Sequence, residues 1–188
     1  MQIGVLAMQG AFLEHIRSLE ALGVKGIEIR KKNQLKEIDG LIIPGGESTT
    51  IGKLMIEFDL MDTVRSLVED GMPVFGTCAG LVLLAQEIIE SDQPRIGLMN
   101  AKARRNAFGR QIESFEVDLD IPVLGEDPFH AVFIRAPFLE EVNPPAEVLA
   151  RFMDKTVLAR QGNILAAAFH PELTNDLRLH RYFIELAK

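Results

Sequence analysis

The chain has 188 residues, 47% of them hydrophobic, and its 20 basic against 27 acidic side chains leave a formal charge of −7. That length is enough to bury a proper core, and the whole of residues 1–188 is expected to form a single domain. One cysteine excludes an internal disulfide and points to a reducing, cytoplasmic setting, while the acidic balance, the absence of tryptophan and a single tyrosine argue against nucleic acid as a partner.

Residues 1–8 are apolar but lack the basic flank and cleavage pattern of a signal peptide. The longest apolar runs, 80–85 and 164–169, fall far short of the roughly 18 residues that span a bilayer, so no membrane association is expected.

In chain order, residues 2–7 read as a strand, and the spacing of Phe12, Ile16, Leu19 and Leu22 predicts one face of a helix ending near Gly23. Residues 24–30 and 41–43 read as further strands, 49–69 as a helical region, 73–76 as a strand and 79–89 as a helix. Strands alternating with helices favour a mostly parallel sheet covered on both faces, and the near-continuous apolar run Leu41-Ile42-Ile43 fits that burial. From residue 95 to 169 the texture turns β-rich, with segments at 112–118, 130–135, 157–161 and 164–169 that include antiparallel additions. Residues 175–187 read as a closing helix, and Asn143-Pro144-Pro145 as a loop.

The strongest local signal is Gly76-Thr77-Cys78-Ala79-Gly80, between an apolar strand and an apolar helix, with the form of a nucleophile elbow. Its glycines let strand and helix pack closely and leave Cys78 exposed at the carboxyl end of the strand, where the positive end of the next helix favours a negative sulfur. A lone buried cysteine is ordinarily a small hydrophobe; the elbow points instead to a nucleophile.

A nucleophilic cysteine needs a base, and the chain has four histidines. His15 and His180 lie in helical stretches among charged residues and are expected to be solvated, and His130 opens a strand and reads as structural. His170 ends an apolar run and is followed by Pro171 and Glu172. In extended geometry the imidazole and the carboxylate two residues on share one side of the backbone, so Glu172 can hold one ring nitrogen and aim the other at sulfur. By itself His-Pro-Glu is equally compatible with a surface turn; together with the elbow it points to a triad.

Pro44-Gly45-Gly46-Glu47-Ser48-Thr49 follows another buried strand. It is no Walker loop, since reading back from Gly52-Lys53 puts Glu47 at the first glycine position and Leu54 where Ser or Thr is required. Vicinal glycines instead expose backbone N–H groups of the kind an oxyanion hole uses. The basic stretch Lys102 to Arg110 is compatible with nucleic-acid or phosphate binding, with gripping a small carboxylate, or with a solvated face.

With these motifs in this order the chain resembles the class I, or triad, glutamine amidotransferases. Within them, Met8-Gln9-Gly10-Ala11, Gly45-Gly46-Glu47-Ser48-Thr49-Thr50, Arg104-Arg105-Asn106-Ala107-Phe108-Gly109-Arg110 and Phe169-His170-Pro171-Glu172-Leu173-Thr174 are similar to the family of glutaminase subunits of pyridoxal 5′-phosphate synthase. The resemblance implies a flavodoxin-like three-layer α/β sandwich, hydrolysis of L-glutamine to glutamate and ammonia, and delivery of the ammonia to a separate synthase subunit for vitamin B6 synthesis. It implies no cofactor and no metal. By position it makes Cys78, His170 and Glu172 the triad. Gly46, Glu47, Ser48, Arg105, Ile134 and Arg135 become substrate-binding residues, and the N–H groups near Gly46 and Ala79 the oxyanion donors.

Gln9-Gly10, at the end of the first strand, is placed either for docking the synthase and switching the Gly-Gly peptide or merely for an ordinary turn. The competing readings are a glutaminase serving another synthase, a stand-alone cysteine amidohydrolase, and a module that uses Cys78 only as a sensor, which would leave His-Pro-Glu unexplained.

Overall fold

The structure of the protein, a computed structural model, describes residues 1–105 and 114–188. The basic string at 106–110 and the expected strand start at 112 lie outside the described residues.

The first half runs β1 (Gln2–Leu6), α1 (Phe12–Ala21), β2 (Lys25–Ile29), β3 (Gly40–Ile43), α2 (Ser48–Glu57), α3 (Met61–Glu69), β4 (Val74–Thr77), α4 (Ala79–Leu84) and β5 (Ala85–Ile88). The second runs β6 (Met99–Arg104), β7 (Ser114–Leu119), β8 (Phe129–Ile134), β9 (Phe138–Glu140), β10 (Glu147–Phe152), β11 (Lys155–Gln161), β12 (Ile164–Ala167) and α5 (Arg178–Leu186).

The main sheet has the order β2-β1-β3-β4-β12-β11-β9-β6-β5, with β10 pairing on β11. It is parallel from β2 through β12, turns antiparallel through β11, β9 and β6, and ends with β5 parallel to β6. β7 and β8 form a separate antiparallel ribbon. Every residue of β3, β4 and β12 is buried, as expected of parallel strands covered on both faces.

Side-chain alternation along β4 shows how those faces are covered. Phe75 and Thr77 point to the side where α1 and α5 lie, with Phe75 5.6 Å from the Phe183 ring and Thr77 bonded to His15. Gly76 faces the other side, where a Cβ would lie 2.6 Å from Leu84 of α4; α2 packs on α4 and α3 packs on α2. The result is the three-layer sandwich expected of the sequence, with antiparallel additions in the C-terminal half.

Two expected elements differ. The helix read at 79–89 ends at Leu84, and Ala85–Ile88 continues as β5. The segment is apolar almost throughout, and all six residues of α4 are buried, so it carries no helical phase to set against a strand period. The helical region at 49–69 is two helices, broken where Asp59 adopts a positive φ of 60° and Leu60 N–H turns back to Met55 O. Among the described residues no helix is long and apolar enough to cross a membrane.

Candidate active site

Cys78 sits in the turn from β4 to α4 with φ 49° and ψ −100°, a conformation that costs a non-glycine residue on the order of 1–3 kcal/mol. Its N–H donates to Ala167 O at 2.8 Å, which ties the turn to β12. The flanking glycines permit the close approach. A Cβ on Gly80 would lie 2.1 Å from Ile43 O, and one on Gly76 would lie 2.5 Å from the Gly80 carbonyl carbon. The steric purpose inferred for the elbow glycines is thus met by backbone on both sides.

β12 is the parallel neighbour of β4, with Ala167 level with Thr77. The two strands therefore end together, and the residues that follow them, Cys78 and His170, meet at the same edge. His170 N–H donates to Val132 O at 2.8 Å, fixing the backbone against β8. Its Nδ1 lies 2.7 Å from Glu172 Oε1. The pair is brought together by a single 3₁₀ turn, Pro171–Leu173, not by the extended backbone expected: proline at the first position of the turn folds Glu172 back beneath the ring instead of leaving it alongside.

Burial disfavours a charged His170, but hydrogen bonding with Cys78 and Glu172 and the field of both partners more than offset it, pushing the imidazole up to about 10. Burial also disfavours the Glu172 carboxylate; His15 and the bond from His170 outweigh it and hold the group below the usual range. The geometry therefore favours a protonated His170 between two acidic partners.

His15 and His180, expected to be solvated, are fully buried. Charged neighbours in the sequence misled, because helical periodicity decides which face each residue occupies: His15 lies one turn from Phe12 and Leu19, and His180 one turn from Phe183 and Ile184. His15 Nδ1 lies 2.9 Å from His180 Nε2, and His15 Nε2 lies 3.1 Å from Thr77 Oγ1 and 3.4 Å from Glu172 Oε2. Burial lowers both imidazoles, His180 to about 3. His130, by contrast, is exposed on the β7–β8 ribbon between Asp118 and Glu116.

A cleft of about 390 Å³ opens above Cys78 and His170. All the other sequence-nominated residues line it: Gln9, Gly10, Gly46, Glu47, Ser48, Ala79, Arg105, Ile134 and Arg135. Glu172 lies beneath, behind His170. Glu47 lines the cleft while its carboxylate caps α2, accepting from Thr49 N–H at 3.1 Å and Thr50 N–H at 2.7 Å. Burial raises that carboxyl, and the bonds from Thr50 and Thr49 together outweigh it and bring it below its ordinary value.

Gln9 Oε1 accepts from Glu47 N–H at 2.8 Å, and Gly45 O accepts from Ala11 N–H at 3.2 Å. The segment 9–11 is thus fastened to the Gly-Gly loop. Gly10 has φ 100°, and a Cβ there would overlap Gly45 O at 1.8 Å, so only glycine allows the two segments to meet.

One contributor had no signal in the sequence. Gln93, a buried loop residue, accepts at Oε1 from Ser48 Oγ (3.3 Å), Thr49 Oγ1 (3.0 Å) and Arg105 Nη1 (2.9 Å). It joins the start of α2 to the basic wall of the cleft.

Comparison with known proteins adds to this geometry. Residues 5–188 match the model of the SNO glutamine amidotransferase family. Pyridoxal 5′-phosphate synthase subunit PdxT of Moorella thermoacetica is 74% identical over 186 residues, which cover 99% of each chain. A solved structure described as a glutamine amidotransferase is 55% identical with a TM-score of 0.94, covering 98% of each chain. The structure of PurLQS from Thermotoga maritima, 14% identical with a TM-score of 0.70 over 100% of this chain and 99% of that one, shares the fold alone.

Proposed function

The chain belongs to the SNO glutamine amidotransferase family, and from that premise we propose that it is the glutaminase subunit of pyridoxal 5′-phosphate synthase, hydrolysing L-glutamine and passing the ammonia to a separate synthase subunit in the cytoplasm. The observation that carries the catalytic reading is the strained Cys78 beside His170, with Glu172 2.7 Å behind it, at the floor of a cleft lined by every other nominated residue.

In this reading the Cys78 sulfur attacks the side-chain amide carbon of glutamine. Backbone N–H groups of Gly46 and Ala79 receive the oxyanion. His170, positioned through Nδ1 by Glu172, gives a proton to the departing ammonia as the tetrahedral intermediate collapses to a γ-glutamyl thioester. His170 Nε2, the nitrogen that gave up that proton, then takes one from water, which attacks the thioester and releases glutamate and the free cysteine. Arg105 and Arg135 supply the positive charge for the substrate carboxylate, and the Ser48 and Ile134 side of the cleft fixes its orientation.

The clamp from Gln9 and Ala11 onto the Gly45–Glu47 loop supports a switch. A synthase subunit docking over Gln9-Gly10 would reset the Gly45-Gly46 peptide, and so an oxyanion donor that is typically worth about 100- to 1000-fold in rate. The test is ammonia and glutamate release by the isolated chain and by the chain with its synthase subunit. Equimolar products rising strongly on addition of the subunit are expected; full activity of the isolated chain would reject the switch, and no release in either case would reject the glutaminase reading.

A further inference from the structure

The buried histidine pair behind the triad is not used by the reaction as described. Glu172 spends Oε1 on His170, whereas Oε2 is buried with no hydrogen bond of its own and faces His15 Nε2 at 3.4 Å. An unpaired carboxylate oxygen in a dry site is costly.

The proton positions along this row follow from elimination. His15 Nδ1 and His180 Nε2, 2.9 Å apart, share one hydrogen. If His15 supplied it, Nε2 of His15 could accept from the Thr77 hydroxyl but would present a lone pair to the Glu172 carboxylate, and Nδ1 of His180, buried without a partner, would have to carry a stranded N–H. If His180 Nε2–H donates, both problems vanish: His15 Nε2 carries its hydrogen toward Thr77 Oγ1 and Glu172 Oε2, and only a bare ring nitrogen of His180 is left without a donor.

Resting on the triad reading above, we propose that His15 is a positioning residue for the glutaminase reaction. It presents Nε2–H to the free oxygen of Glu172, and His180 fixes the tautomer that makes this possible. The row then runs His180, His15, Glu172, His170, Cys78, from the α1–α5 layer through the end of the sheet to the cleft. His15 holds the carboxylate from behind, so that Oε1 stays in line with His170 Nδ1 while charge shifts on and off the imidazole. Burial lowers both outer imidazoles and so favours the neutral rings that this arrangement of protons needs.

Two measurements test this. In the unmodified chain with ¹⁵N-labelled histidine, NMR at neutral pH is expected to show His15 and His180 both protonated at Nε2 and bare at Nδ1. A proton on His15 Nδ1 overturns the proposal, whatever any variant does. In the complex with the synthase subunit, His15→Leu is expected to lower kcat for glutamine by about 10- to 100-fold, the range typical for loss of an outer hydrogen-bond partner of a functional ligand, with KM unchanged. His15→Gln, whose amide N–H can reach the same oxygen, is expected to recover most of it. Equal losses in the Leu and Gln variants, or none in either, would mean a role in packing alone. Cys78→Ala run alongside separates the two levels: an active Cys78→Ala rejects the triad itself, whereas an inactive one beside a fully active His15→Leu rejects only the role of His15.

Discussion

Glu172 Oε1 lies 2.7 Å from His170 Nδ1, across one proline and within one turn of 3₁₀ helix. Glu172 and His170 are thus built on the same short segment, and the second carboxylate oxygen of Glu172 faces His15 of α1 at 3.4 Å. What must be aligned from elsewhere is the sulfur, and the level ends of β4 and β12 do that.

Replacing Glu172 by Gln keeps the shape but offers His170 Nδ1 an amide that can donate as well as accept. The ring can then hold its proton on the wrong nitrogen. We expect kcat to fall by up to about 10⁴-fold, the scale of the corresponding loss in a serine-protease triad, with the fold retained by circular dichroism. A fall smaller than tenfold would show that the carboxylate does not orient the base.

The grouping of Cys78, His170 and Glu172 and its scaffold were legible because each motif is local: five residues make the elbow and three make His-Pro-Glu, so residue type and spacing alone carry the geometry. Parallel strands read from apolar runs brought the motifs to one edge of the sheet. The short β5 was not legible, since Leu81 to Ala85 is apolar whatever its period. The burial of His15 and His180 was not legible in their charged neighbours, because helical phase, which places both inward, decides it. Gln93 has no sequence signature at all; a loop glutamine acquires its role only when three donors converge on it.

The elbow tolerates no side chain at Gly80, where a Cβ would press against Ile43 O at 2.1 Å. Gly80→Ala must push α4 off β3 or distort the turn at Cys78. Overpacking of this kind costs about 1–3 kcal/mol, so a lower urea midpoint together with a large loss of glutaminase activity is expected. Unchanged midpoint and activity would mean that the elbow relaxes freely.

Gln93 holds Arg105 by a charge-assisted bond and ties it to Ser48 and Thr49. Gln93→Ala leaves the guanidinium only its 3.3 Å bond to Thr49 Oγ1 and removes the acceptor of the Ser48 and Thr49 hydroxyls. Hydrogen bonds to charged groups are worth about 1.5–3 kcal/mol, so KM for glutamine is expected to rise by tenfold or more with kcat less affected. Steady-state kinetics in the complex decides; a pure kcat effect would remove Arg105 from substrate binding.

Stability should fall on mild acidification because of the buried histidines. His180 has its imidazole lowered to about 3 by burial and by the nearby His15, and His15 is lowered by burial. In the unfolded chain both titrate at about 6.5. As pH drops below that value the unfolded state gains protons that the folded state refuses, and stability falls by about 1.4 kcal/mol per pH unit per proton. His170 acts oppositely: raised to about 10, its contribution is complete below about 6.5 and is lost as pH climbs toward 10. Urea unfolding between pH 5 and 6 should therefore show stability rising with pH, with a slope reduced by about one proton in His180→Phe. An unaltered slope would mean that His180 titrates in the folded protein.

The central claim is that Cys78 attacks glutamine. It is tested most directly by incubating the complex with glutamine, following ammonia release, and weighing the intact chain by mass spectrometry during turnover. The wild type should release ammonia and carry a γ-glutamyl adduct on Cys78, while Cys78→Ala should do neither although it still binds the synthase subunit. Ammonia release at the wild-type rate from Cys78→Ala would contradict the account.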